Sequence, residues 1–256
     1  MTKENIITQK INQAVNNGRK ALIPFVPAGF PDKEVFWDII MELDQAGADI
    51  IEIGVPFSDP VADGPVVENA SNVCLEQGVN IEWIMQGLER NRRNINAGIV
   101  LMGYFNPFLQ YGIPRFSADS AQKGVNGLIV PDLILEEAQP YLELMASYEL
   151  SFVPLVGLNT PQERMAEYSG INPAFVYLVS VMGITGTKAG ANEILRTKLG
   201  QVRESFECPV ALGFGLSSPK QLDPIADLVD AVVFGSALIE HIDAGKKAGD
   251  FLQGWN

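Results

Sequence analysis

The chain has 256 residues, 47% hydrophobic and 19% charged, with a formal net charge of −13. Such a composition belongs to a water-soluble globular protein with a large core, and an acidic balance of this size repels nucleic acid and anionic membrane surfaces. Two cysteines, Cys74 and Cys208, are too few for a disulfide scaffold or a thiolate metal cage and fit a reduced cytoplasmic setting.

In chain order, the opening MTKENIITQKINQ lacks the apolar core of a signal peptide, and ITQKINQAVNNG reads as an extra helix. Segment 22–28 (LIPFVPA) reads as a strand and 32–47 as a helix closed by Gly47; 49–56 (DIIEIGVP) is the next strand. A long connection from Pro56 to Gly78, rich in Pro, Gly, Asp and Asn, leads to a helix over 81–93. Arg90, Arg92 and Arg93 on that helix read as a solvated face. Strand 98–104, helix 114–124, strand 127–131, helix 136–148 with Pro140 in it, strand 151–156 and helix 161–169 follow. Strands at 175–180, 209–214 and 231–236 are separated by helices over 192–206 and 219–228. No apolar run approaches the roughly 18–20 residues of a membrane span.

Eight short strands rich in Val, Ile and Leu, alternating with helices, predict βα units and a parallel sheet. Eight such units in about 250 residues match a closed (β/α)8 barrel, a TIM barrel, with the extra N-terminal helix across its bottom. A doubly wound open sheet more often carries GxGxxG after its first strand, whereas PAGFPD stands here. No linker-like run divides the chain, so residues 1–256 are expected to form a single barrel domain.

The lone histidine, His241, lies on a late, polar helix. Serine or cysteine nucleophiles usually need a histidine base, so carboxylates lead as acid–base candidates. Strand alternation puts Ile51, Ile53 and Val55 on one face and Glu52 on the other, inside the barrel near its top. A carboxylate there is costly unless paired or used, and the expected strands contain no lysine or arginine. Burial raises such a group's pKa toward the range where it both gives and takes a proton. Asp63 in VADGP and Asp59 in SDP read equally well as turn residues, since Asp before Gly bonds its local backbone. Glycines after late strands, Gly186, Gly213, Gly215 and Gly235 with Ser236, suit either tight turns or close approach of backbone N–H groups to a phosphate. The glycine-rich stretch 180–191 has the composition of a closing lid. Phe25, Tyr104, Phe105 and Tyr177 at strand ends suit either core packing or an apolar ligand pocket.

PFVPAGFP, GADIIEIGVPFSDPVADGPVVENA, VLMGYFNPFLQYG, GVNGLIVPDL, YLVSVMGITG, GFGLSSP and VFGSALIE, in this order, resemble the tryptophan synthase alpha subunit family over most of the chain. The resemblance implies retro-aldol cleavage of indole-3-glycerol phosphate to indole and glyceraldehyde 3-phosphate, with Glu52 and Asp63 as the catalytic acids. It implies Thr185 as a lid residue closing toward Asp63; Gly186, Gly215, Gly235 and Ser236 as the phosphate site; and Phe25, Met102 and Tyr177 as the indole pocket. It implies no metal and no cofactor in this chain. Pyridoxal phosphate would belong to a partner beta subunit in an α2β2 complex, touched by Pro56, Asp59, Pro60 and the lid. Three residues depart from the commoner family pattern: Pro27, Phe30 and Met182. A sugar-phosphate barrel enzyme such as indoleglycerol-phosphate synthase shares the glycine turns but needs a lysine inside the barrel; a non-catalytic activator would not need both acids.

Overall fold

A computed structural model describes residues 4–180, 188–213, 215–216 and 218–255. Nine parallel strands form one sheet: β1 (Ala21–Pro27), β2 (Ile50–Gly54), β3 (Gly98–Met102), β4 (Gly127–Ile129), β5 (Ser151–Phe152), β6 (Leu155–Gly157), β7 (Val176–Val179), β8 (Val210–Gly213) and β9 (Ala231–Phe234). Their order is β5-β4-β3-β2-β1-β9-β8-β7-β6. β5 and β6 are two halves of the strand expected at 151–156, parted at Val153-Pro154. The Val153 N–H donates to Leu128 at 2.9 Å on one side, and Pro154 accepts from the Tyr177 N–H at 3.1 Å on the other. The ring therefore closes through this broken strand, and the fold is the expected (β/α)8 barrel.

Period-two alternation sorts the strand residues into two apolar clusters. Ile51, Ile53, Ile99 and Leu101 pack outward among the surrounding helices. Ile23, Ile50, Val100, Ile129, Val153, Tyr177, Ala211 and Val233 point inward. Helix α1 (Ile6–Asn16) closes the bottom of that inner cluster, with Ile7, Ile11 and Ala14 fully buried in it. Asn5 caps α1 by accepting the Ile7 N–H at 2.8 Å. Gly127 makes room for the plug, since a Cβ there would stand 2.7 Å from the Ile7 side chain.

Several connections differ from expectation. The stretch Pro56–Gly78 is loop only as far as Gly64; α3 (Pro65–Glu76) follows, with Pro65 in its first turn. Its buried face is Ala70, Ser71 and Cys74, small residues that leave little hydrophobic periodicity to read. α4 (Ile81–Asn91) is capped by Asn80, and a further short helix, α5 (Phe105–Tyr111), follows β3. Arg92 does not lie on a solvated face: it donates to the carbonyls of Gly124 at 3.0 Å and Ile95 at 2.5 Å and fastens two loops at the barrel bottom. The helix expected at 219–228 is two single turns, Pro219–Gln221 and Ala226–Leu228, because Pro224 cannot continue a helix.

The plug should contribute substantially to stability. Ile11→Ala is expected to cost roughly 2–5 kcal/mol, as for other buried aliphatic truncations, read as a lower urea midpoint. A midpoint equal to the parent's would show that α1 is dispensable to the inner core.

Candidate active site

Glu52 lies in β2, in register with Phe25 of β1 and Val100 of β3. It is 2% exposed. Two other carboxylates are nearly as buried, Asp49 and Asp230, and each is bonded to an arginine: Arg19 to Asp49 at 2.6 Å and Arg203 to Asp230 at 2.7 Å. Among the described residues Glu52 has no such cation, and its Oε2 has no hydrogen-bond partner. Burial, and then the charge of Asp63, push its pKa up from 4.5 to about 8. The shift favours the protonated carboxyl at neutral pH.

Asp63 stands in the loop between β2 and α3, its N–H donating to Pro60 at 3.0 Å in a local turn. The turn expected from Asp-Gly is real, yet the side chain is also half-buried and electrostatically coupled to Glu52. Its pKa is pushed up to about 6: burial raises it, the Tyr104 hydroxyl lowers it by hydrogen bonding, and Glu68 raises it. Near neutrality Asp63 is mostly ionised while Glu52 is mostly protonated. Tyr177, on the inner face of β7, is raised well above 10 by burial and by the charges of Glu52 and Asp63, so its hydroxyl keeps its proton.

These groups border a cavity of about 490 Å3 at the C-terminal mouth of the barrel. Phe25, Glu52, Asp63, Met102, Tyr177, Gly215, Gly235 and Ser236 all line it. Ile129, Leu155, Val179, Leu216 and Val233, which sequence reading did not single out, add to its apolar walls; for the four on strands the only signal is inward alternation. Two glycines keep the ring-bearing walls in place. A Cβ on Gly54 would lie 2.8 Å from the Phe25 ring, and one on Gly213 would collide with the Tyr177 ring and hydroxyl. Gly215 adopts φ +73°, a conformation open to glycine. Gly235 precedes α10 (Ser236–Asp243) and accepts the Leu238 and Ile239 N–H groups, so the N–H groups of Ser236 and Ala237 are the ones with no acceptor within the helix.

Of the four strand-end aromatics, only Phe25 and Tyr177 line the cavity. β3 ends at Met102 and the chain then turns outward, so Tyr104 lies behind Asp63 and Phe105 packs against Tyr141 with ring centroids 5.6 Å apart. Pro56 is buried at the end of β2, while Asp59 and Pro60 sit on the rim, where Asp59 accepts from the Ser58 hydroxyl at 2.5 Å. Pro27 and Phe30 are buried. Met182, Thr185 and Gly186 lie outside the described residues. A larger cleft of about 800 Å3 opens at the barrel bottom beside α1, and none of the expected site residues lines it. Among the described residues, no cluster of three or more His, Cys, Asp or Glu suits a metal ion, and no helix is long and apolar enough to cross a membrane.

Two carboxyls, one buried in a barrel strand and one on the loop above it, border a single cavity at the mouth of a (β/α)8 barrel, where the active sites of barrel enzymes lie. The chain belongs to the tryptophan synthase alpha chain family, whose model matches residues 11–252, and is thereby a lyase of tryptophan biosynthesis. It is 54% identical to the tryptophan synthase alpha chain of Solidesulfovibrio magneticus over 98% of both chains. It is 53% identical to that of Maridesulfovibrio salexigens, over 97% of this chain and 98% of the relative. The solved tryptophan synthase subunit alpha from Legionella pneumophila superposes with a TM-score of 0.89 at 28% identity, covering 99% of this chain and 97% of that one.

The buried, unpaired carboxyl ties stability to pH. Folded Glu52 titrates near 8 and an unfolded glutamate near 4.5, so between those values the folded chain holds more protons and its stability falls as pH rises. Glu52→Gln removes that slope. Its melting temperature, taken relative to the parent's, should climb from pH 4.5 to pH 8 and level off above; a flat difference would mean that Glu52 is not held as an unpaired acid.

Proposed function

We propose that Glu52 and Asp63 together cleave indole-3-glycerol phosphate into indole and D-glyceraldehyde 3-phosphate. The observation that carries this reading is a buried, unpartnered Glu52 carboxyl that shares an apolar-walled cavity with Asp63, burial pushing the first up to about 8 and the second to about 6. Protonated Glu52 gives its proton to C3 of the indole ring, leaving an indoleninium cation. Ionised Asp63 accepts a hydrogen bond from the ring N–H and stabilises that charge. The Glu52 carboxylate then takes the proton of the adjacent glycerol hydroxyl. The C–C bond breaks, its electron pair returns to the ring, and the hydroxyl carbon becomes the aldehyde. Glu52 ends protonated, ready for another cycle.

Phe25, Met102 and Tyr177 supply the flat apolar wall for the indole. Gly215, Gly235 and Ser236, at a glycine turn and a helix start, offer N–H groups to the phosphate. Gly186 in the phosphate site and Thr185 as support for Asp63 rest on the family resemblance alone. Every proton in the scheme starts or ends on Glu52, so the chain's own reaction calls on no cofactor; pyridoxal phosphate is assigned to a beta subunit. The reading includes an α2β2 assembly in the cytoplasm, with the rim at Asp59 and Pro60 facing the beta subunit and Pro56 buried beneath it. Val61, Leu109 and Ile134, at 86%, 47% and 51% exposure, leave apolar surface on three successive connections around that rim, as a partner interface requires. Both cysteines are free.

Indole released from indole-3-glycerol phosphate, measured with and without a beta subunit, tests the reading. Glu52→Gln and Asp63→Asn should fold yet lose about 10²-fold or more in turnover, the usual scale for acid–base groups. For the parent, kcat/KM should rise through pH 6 as Asp63 ionises and fall through pH 8 as Glu52 loses its proton. A fully active Glu52→Gln protein would sink the assignment.

A further inference from the structure

We infer that Tyr104 is the positioning residue for Asp63: its hydroxyl fastens the loop between β2 and α3 so that the Asp63 carboxylate faces Glu52 across the cavity. The inference rests on the reading above that Asp63 takes the indole N–H. Within the loop, the Val61 N–H donates to Asp59 at 2.9 Å and the Asp63 N–H to Pro60 at 3.0 Å. These turns set the loop's own shape without setting its place on the barrel. Burial does little to hold the tip, since Val61 is 86% exposed.

The anchor comes from a different connection. The Tyr104 oxygen accepts the Ala62 N–H at 2.9 Å, one residue before Asp63. Tyr104 itself is held rigidly. It is 2% exposed, its ring stacks on Phe57 with centroids 5.4 Å apart, and it immediately precedes α5. The Asp132 carboxylate caps α5 by accepting the Phe105 N–H at 2.8 Å, which ties the connection after β4 to the same assembly. A hydroxyl that accepts one N–H keeps its own proton to donate, and the Asp63 carboxylate, on the residue after Ala62, is the acid whose titration that hydroxyl lowers. Tyr104 does not line the cavity. It therefore acts on the reaction through Asp63 and not on substrate.

The groups facing Asp63 are Glu52 from β2, Glu68 from α3 and Tyr177 from β7, with Asp132 behind Tyr104. Three are acids and none is a cation. The Tyr104 hydroxyl is the neighbour that favours the ionised form of Asp63 against burial and Glu68.

Tyr104→Phe tests this, because it keeps the ring and its stacking and removes only the oxygen. Turnover should fall about 10-fold or more, the scale of a lost hydrogen bond to a charged group. KM should stay within about twofold, since the variant leaves the cavity lining intact. The acid limb of the kcat profile should move to higher pH as Asp63 loses its donor. In an Asp63→Asn background, adding Tyr104→Phe should slow the enzyme no further. A parent-like rate and acid limb in Tyr104→Phe would overturn the proposal, as would an equal fold loss in both backgrounds, which marks a general structural role. Parent-like turnover in Asp63→Asn alone would instead remove the Asp63 assignment on which the proposal stands.

Discussion

Glu52 sits in the middle of a barrel strand at 2% exposure, and among the described residues one of its carboxyl oxygens is unpartnered and no arginine or lysine pairs with it. That placement favours the protonated carboxyl, because an ionised carboxylate in an apolar interior costs several kcal/mol without a paired charge. Asp49 and Asp230 show the alternative in the same molecule. At the barrel's other end, each is ionically paired with an arginine and each accepts a backbone N–H, from Leu22 at 2.9 Å and from Val210 at 2.8 Å. Those two carboxylates stitch neighbouring strands together; Glu52 stitches nothing. It is kept as an acid whose proton is available to whatever enters the cavity.

The surrounding structure is arranged to preserve that state. α1 closes the bottom of the barrel with Ile7, Ile11 and Ala14, while Glu52 borders the cavity at the mouth. Inward-pointing Val100, Ile129 and Val233 keep its surroundings apolar. Where rings are needed beside it, the opposing strand gives way: Gly54 lies under Phe25 and Gly213 under Tyr177. Asp63 completes the arrangement from outside the barrel. Its charge raises Glu52 further, and the Tyr104 hydroxyl keeps that charge on Asp63. Two chemically similar carboxyls are thus separated in titration by where the chain puts them.

How far this could be read from sequence follows from the range of the interactions. Glu52 was visible because strand alternation is local: five residues sufficed to put it on the inner face. The barrel was visible because eight apolar runs repeat. Asp63 was not, since its own neighbours specify only a turn; the bond that places it comes from Tyr104, and sequence spacing does not show a contact across 42 positions. Tyr104 itself read equally as a core or a pocket aromatic, and only the outward turn after Met102 places it behind the carboxylate. α3 escaped notice because its buried face is built of Ala, Ser and Cys. Arg92 looked like part of a charged surface because its partners are the backbone carbonyls of two loops, which leave no mark in composition. The family resemblance supplied Asp63 where the residues alone left a tie.

The account depends on a protonated Glu52 at neutral pH, and infrared difference spectroscopy of the parent against Glu52→Gln observes that proton directly. At pH 7 the difference spectrum should contain a carboxylic-acid carbonyl band that fades as pH is raised through about 8 and is replaced by carboxylate bands. Carboxylate bands alone at pH 7, with no acid carbonyl to lose, would contradict the central claim.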